Sequence, residues 1–292
     1  MGERSVLVEL YAQRKFDEGW AQYRSLKATG ETGAAEHLAG ARCARGRGDL
    51  FAARWAIGLA QEANPTGSLL GQIRFTHGLI LREIGEFNSA VQCFMACIQG
   101  MWEYPELAPV MEGPAYYNLG LAYRQTRRYT EARQAYEEAA ARFRPEHMTE
   151  SLCMTLHNLA WVACLVNDPS TARTALAESQ PLCGTEEFRI HQTIGEAFLA
   201  SLGDETDRHR AIEICDGLTK GGHVPDQVRS HAYWLAGKVA LGLGQHDLAE
   251  SLARHGLEWG TKAQDDNRCL HDAADLLREI RQQQLSPKPS GA

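Results

Sequence analysis

Residues 113–144 read GPAYYNLGLAYRQTRRYTEARQAYEEAAARFR, and two helix-length phrases sit inside them. In the first, Tyr116, Leu119, Gly120 and Tyr123 share one helical face; in the second, Ala132, Tyr136 and Ala139 do the same. Counterparts of Ala132 recur at Gly19, Ala53, Ala90, Ala172, Ala211 and Ala249, at steps of 34, 37, 42, 40, 39 and 38 residues. A period in that range specifies a helical solenoid, because each hairpin can bury its apolar face only against the hairpins beside it.

Twelve residues before these alanines stands another small residue. It is Gly78, Gly120 and Gly237 in three units and Ala41 or Ala160 in two more. Gly195 takes the place in the sixth unit, whose turn is lengthened by about four residues (GDETDRHR), and Leu7 replaces it in the first. A small residue there lets paired helices approach closely, and the large side chains on either side fill the remaining space. Between the two helices, Gly48, Gly85, Gly244 and Asn167 suit the left-handed conformation that ends many helices. Asp168-Pro169 then supplies an N-cap followed by proline at the first helical position.

This order of aromatic, Leu-Gly, aromatic, alanine, aromatic, alanine resembles the tetratricopeptide repeat family from Ser5 to about Trp259. The resemblance implies an all-α fold: a right-handed superhelix of about seven helix-turn-helix repeats, its concave wall lined by each first helix. Repeats are expected near 1–33, 34–70, 71–112, 113–152, 153–187, 188–229 and 230–263. A capping helix over 267–284, with Leu270, Ala274, Leu277 and Ile280 on one side, completes a superhelix spanning 1–285; residues 286–292 are expected to be a disordered tail. Steps of 37–42 residues resemble those of kinesin light chains and bacterial signalling-peptide receptors. The extra length between the third and fourth units lies in GMWEYPELAPVMEG (100–113), where Trp102, Tyr104 and Leu107 either pack under a lengthened second helix, the favoured reading, or stay exposed as a contact.

Composition agrees with a folded chain: 292 residues, 44% hydrophobic and 23% charged. No apolar run approaches the roughly 20 residues a membrane helix needs, and the first residues lack a signal-peptide pattern. The expectation is a cytoplasmic protein with no membrane contact. Eight cysteines occur without a CxxC pair, most of them inside predicted helices, which reads as free thiols. Cys153 and His157 are four apart, with Cys164 two turns on, but a closed zinc set lacks its fourth ligand. No metal and no cofactor are expected. A net charge of −7 disfavours direct nucleic-acid binding.

Function is expected on the face of each first helix opposite the buried one. Arg42, Arg45, Phe75, Arg82, Glu83, Tyr117, Asn118, Arg124, His157, Asn158, Trp161, Arg189, Gln192, Glu196, Trp234 and Lys238 lie there. Six basic residues against two acidic ones would draw an acidic or carboxylate-ended segment. Asn118 and Asn158 occupy equivalent places in successive units, and a carboxamide pairs with peptide backbone as donor and acceptor together; the resemblance implies that use here. The peptide-contacting set is therefore Asn118, Asn158, Tyr117, Arg124, His157, Trp161, Arg82, Gln192, Trp234 and Lys238. No nucleophile elbow, HExxH or phosphate loop appears, so catalysis is not expected. The chain reads as a protein- or peptide-binding scaffold, in its sharper form an intracellular signalling-peptide sensor or regulator. The alternative is a structural assembly module that joins a larger complex or a second copy, as a homodimer, through convex or end surfaces.

Overall fold

The computed structural model describes residues 3–263 and 267–285; the expected tail, 286–292, lies outside them. Fifteen α-helices and two short 3-10 turns account for the regular structure, with no strand among the described residues. The chain divides into two compact units, 1–148 and 149–292.

In the first unit the helices are α1 (Glu3–Ala12), α2 (Phe16–Ala28), α3 (Ala34–Gly46), α4 (Leu50–Glu62), α5 (Gly67–Ile84), α6 (Phe87–Gly100), α7 (Ala108–Gln125) and α8 (Tyr129–Phe143). Each packs on its sequence neighbours, and α1, α3, α5 and α7 also touch in succession. The glycines decide how close a pair comes. A β-carbon built on Gly120 would fall 2.6 Å from a ring carbon of Tyr136, and one on Gly78 would fall 2.7 Å from Phe94. The aromatic of the second helix therefore lies flat over the glycine of the first. Tyr23 works differently: its ring reaches forward onto Gly40 of the next pair.

The second unit holds α9 (Thr149–Leu165), α10 (Pro169–Ser179), α11 (Glu186–Ala200), α12 (Glu205–Lys220), α13 (Asp226–Gly242), α14 (His246–Lys262) and α15 (Asn267–Leu285). Helices α9, α11 and α13 again touch in succession. Asp168 caps α10 by accepting from the Thr171 amide at 3.1 Å, with Pro169 first in the helix. Helix α15 closes the unit by packing on both α13 and α14. Its buried side chains are Ala273, Leu276 and Ile280, one residue round from the expected face; Ala274 and Leu277 are half-buried, and the Leu270 side chain lies outside the described ones. Leu276 turns inward because Gly237 leaves space for it: a β-carbon there would meet Leu276 at 2.9 Å.

The left-handed turn extends beyond glycine and asparagine, since Arg14 (φ 58°) and Arg127 (φ 60°) adopt it as well. Repeat geometry imposes this conformation where the residue type does not favour it. In the segment after α6, Tyr104 is buried and Leu107 packs at Gly71, but Trp102 is 91% exposed. The 3-10 turn Pro105–Leu107 directs Tyr104 and Leu107 toward α5 and leaves Trp102 outside.

Candidate functional site

In the first unit, the arginines of the first-helix face are engaged with their neighbours. Arg42 donates to Gln72 Oε1 at 3.2 Å and Thr76 Oγ1 at 3.3 Å on α5. Arg45 bridges Glu83 at 2.9 Å, and Arg82 lies 3.8 Å from the same carboxylate. Arg14, Arg42, Arg45 and Glu83, with Tyr11 and Phe16, line a cavity of about 550 Å³. Phe75 meets Phe94 edge-on at a centroid distance of 5.9 Å, and Tyr117 lies tilted against Tyr136 at 6.0 Å.

Asn118 and Arg124 depart from the expectation of an open face. Asn118 is only 9% exposed and its amide nitrogen donates to the Pro114 carbonyl, one turn back, at 2.8 Å; Arg124 is 5% exposed. Helix α7 packs against α5, α6 and α8, which leaves little of its perimeter to solvent. Asn158, in the second unit, is half-buried and makes the same bond to the Met154 carbonyl at 2.9 Å. Each carboxamide thus spends one donor on its own helix.

His157 and Gln192 are likewise interior. Gln192 Oε1 accepts from Ser179 Oγ at 2.7 Å and lies 3.2 Å from His157 Nε2, while Gln192 Nε2 reaches the Leu176 carbonyl and Glu196. Burial, reinforced by the charge of neighbouring His191, lowers the His157 pKa to about 4. The side chains the sequence grouped as contacts for a ligand are here a buried polar network joining α9, α10 and α11.

The aromatic side chains form a second arrangement. Trp161 on α9 meets His231 edge-on at 4.3 Å and Phe198 at 5.1 Å, and Phe198 continues to Trp234 on α13 at 5.8 Å. Beside Phe198 and Trp234, toward the C-terminal ends of α9, α11 and α13, is a cleft of about 340 Å³. Phe198, Trp234 and Val239 line it, and Arg208 and Lys238 add positive charge. Lys238 is exposed and bridges Glu279 of α15 at 2.9 Å. Sequence periodicity placed Trp161, Trp234 and Lys238 on this face; Arg208, which lies in the lengthened turn and next helix, had no register to predict it.

The cysteines regroup. Cys164, which the sequence placed beside Cys153 and His157, lines the aromatic cleft instead. Cys183 replaces it: the Cys153 sulfur is 3.8 Å from Cys183 and 3.9 Å from His157 Nε2, and Cys183 is 3.7 Å from the same nitrogen. Thirty residues separate the two cysteines in the chain, so no local spacing announces the trio.

Family models described as tetratricopeptide repeat match residues 112–183 and 71–99. The hairpins over those residues are tetratricopeptide repeats, and the flanking helix pairs continue the same fold. No curated protein sequence matches the chain. Among solved structures, NprR in complex with its cognate peptide NprX is similar at a TM-score of 0.66 and 14% identity, over 98% of this chain and 86% of that one. A Rap protein complexed with competence and sporulation factor gives 0.62 and 11%, over 96% and 86%. A tetratricopeptide repeat protein from Parabacteroides merdae gives 0.60 and 15%, over 96% and 99%. All of these are solenoids of helical hairpins. Among the described residues, no helix is long and apolar enough to cross a membrane.

Proposed function

We propose that this protein is a non-catalytic scaffold that binds an extended segment of a partner protein or a free peptide along its first-helix faces. The observation that carries the reading is the cleft of the second unit, lined by the half-buried Trp234 and the buried Phe198 beside Arg208 and Lys238. Such a site takes an apolar side chain, since burying one contributes roughly 1.5–3 kcal/mol. An acidic group next to it competes with Glu279 for Lys238. His157 and Gln192 hold together the helices that carry the cleft. The likeness to NprR and Rap proteins with bound ligands supports the choice of a peptide, and extends to an intracellular signalling role as the finer form of the proposal.

The test is panning of a displayed random-peptide library on the full chain, followed by titration of a fluorescein-labelled winner. Enriched peptides are expected to share an aromatic or aliphatic residue beside Asp or Glu, and Trp234→Ala to weaken binding by about tenfold or more. Lys238→Glu should weaken it further at low salt than at high salt. Absence of a shared motif, or equal affinity in Trp234→Ala, refutes the site. A second reading, assembly through an outer surface, is favoured by Phe51 and Trp102, which are 86% and 91% exposed. It predicts a mass above that of the monomer in light scattering that Phe51→Ser or Trp102→Ser returns to one chain.

A further inference from the structure

Outside the cleft, the densest group of reactive side chains is the trio Cys153, His157 and Cys183. Its three donor atoms form a nearly equilateral triangle with edges of 3.7, 3.8 and 3.9 Å. Tetrahedral zinc, at about 2.3 Å from sulfur and about 2.0–2.1 Å from imidazole nitrogen, separates its ligands by about 3.5–3.8 Å. A point amid the three atoms lies about 2.2 Å from each of them, which is the distance such an ion requires.

The backbone explains how the donors come together. Cys153 and His157 are one helical turn apart on α9, so their side chains emerge on the same side. Cys183 follows the 3-10 turn Gln180–Leu182 at the end of α10, where the chain leaves for α11. Cys153 and His157 are buried, at 0% and 7% exposure, and the half-buried Cys183 gives the approach from solvent. No fourth His, Cys, Asp or Glu among the described residues joins the group.

We propose that Cys153, His157 and Cys183 form a binding site for one zinc ion, with the fourth position open to water. Two thiolates and a neutral imidazole select a thiophilic d10 cation over the oxygen-loving magnesium or calcium. On binding, each thiol releases its proton to solvent, and the zinc takes the lone pair of His157 Nε2, leaving the imidazole proton on Nδ1. Gln192 Oε1, already 3.2 Å from Nε2 and held by Ser179 Oγ, is placed to accept a hydrogen bond from the zinc-bound water. The ion would fasten the connection before α11 to the middle of α9, tying two first helices of the second unit together. Zinc supply would then set the rigidity of the unit that carries the aromatic cleft.

The experiment uses the full chain, reduced and stripped of metal, titrated with cobalt(II) and then with zinc. One equivalent of cobalt is expected to give sulfur-to-cobalt charge-transfer absorption and the intense visible bands of a four-coordinate site, both removed by one equivalent of zinc. Zinc should also raise the melting temperature. Cys183→Ser, on a half-exposed connection, should remove the charge-transfer intensity by half or more while leaving the circular dichroism unchanged; the Cys153→Ser/Cys183→Ser pair should abolish it. Cys215→Ala, in α12 and outside the trio, should bind cobalt as the wild type does. A wild-type chain without the charge-transfer bands overturns the proposal. So does a spectrum that survives the double substitution, or a Cys153–Cys183 disulfide whose reduction brings no metal uptake.

Discussion

Adding a single methyl group should have opposite effects at two helical glycines. In Gly120→Ala the new carbon meets Tyr136 at 2.6 and 2.7 Å, where about 3.4–4 Å is ordinary contact. Tyr136 is fully buried, so its ring can retreat only by moving α8 away from α7. Overpacking of this kind costs about 1–3 kcal/mol, against about 1 kcal/mol returned by the helical preference of alanine over glycine. The expected net loss is up to about 2 kcal/mol, a fall of up to roughly 8 °C in melting temperature for chains of this size. Gly217, by contrast, is exposed in α12 with nothing within 4 Å of a β-carbon, so Gly217→Ala should gain about 0.5–1 kcal/mol. Thermal melts followed by circular dichroism separate the two. If Gly120→Ala melts at or above the wild type, or Gly217→Ala melts below it, close contact at the repeat glycine does not set the helix separation. A smaller neighbour gives the complementary result: Tyr136→Leu should reduce the penalty of Gly120→Ala when the two are combined.

Arg127 is exposed and held at φ 60°, so Arg127→Gly should raise stability by about 0.5–1 kcal/mol in urea unfolding, and a loss would argue that its side-chain contacts outweigh the backbone strain. His157 gives a pH dependence in the metal-free protein. Its folded pKa of about 4 lies below the unfolded value near 6.5, so unfolding takes up a proton over that interval and stability falls as pH drops from about 6.5 to 4. The loss approaches about 3 kcal/mol, and urea melts at pH 7 and pH 4.5 should show a larger fall for the wild type than for His157→Asn.

The hairpins were legible because their causes are local and repeated. Position-specific small residues, aromatics four beyond the alanines and turn residues such as Gly85 and Asn167 each carry their meaning in a few neighbouring letters. Helix α15 keeps Ile280 of its expected face in the core but buries Ala273 and Leu276 more deeply than Ala274 and Leu277, because its apolar pattern admits two adjacent faces and the space over Gly237 favours the one bearing Leu276. Asn118 and Gln192 have polar side chains in positions that a repeat can either expose or enclose. Periodicity names those positions without saying how much of each helix its neighbours cover.

Sequence alone determined the helical hairpins, their small-residue contacts and the candidate face of each first helix, because all three follow from spacing along the chain. Tertiary structure decided which of those side chains remain available, closing Gln192 and His157 into a network and leaving Trp234 and Lys238 at a cleft. It also brought Cys183 to Cys153 and His157. Three donors within 4 Å depend on how α9 and the end of α10 meet in space, a distance that thirty residues of sequence separation cannot encode.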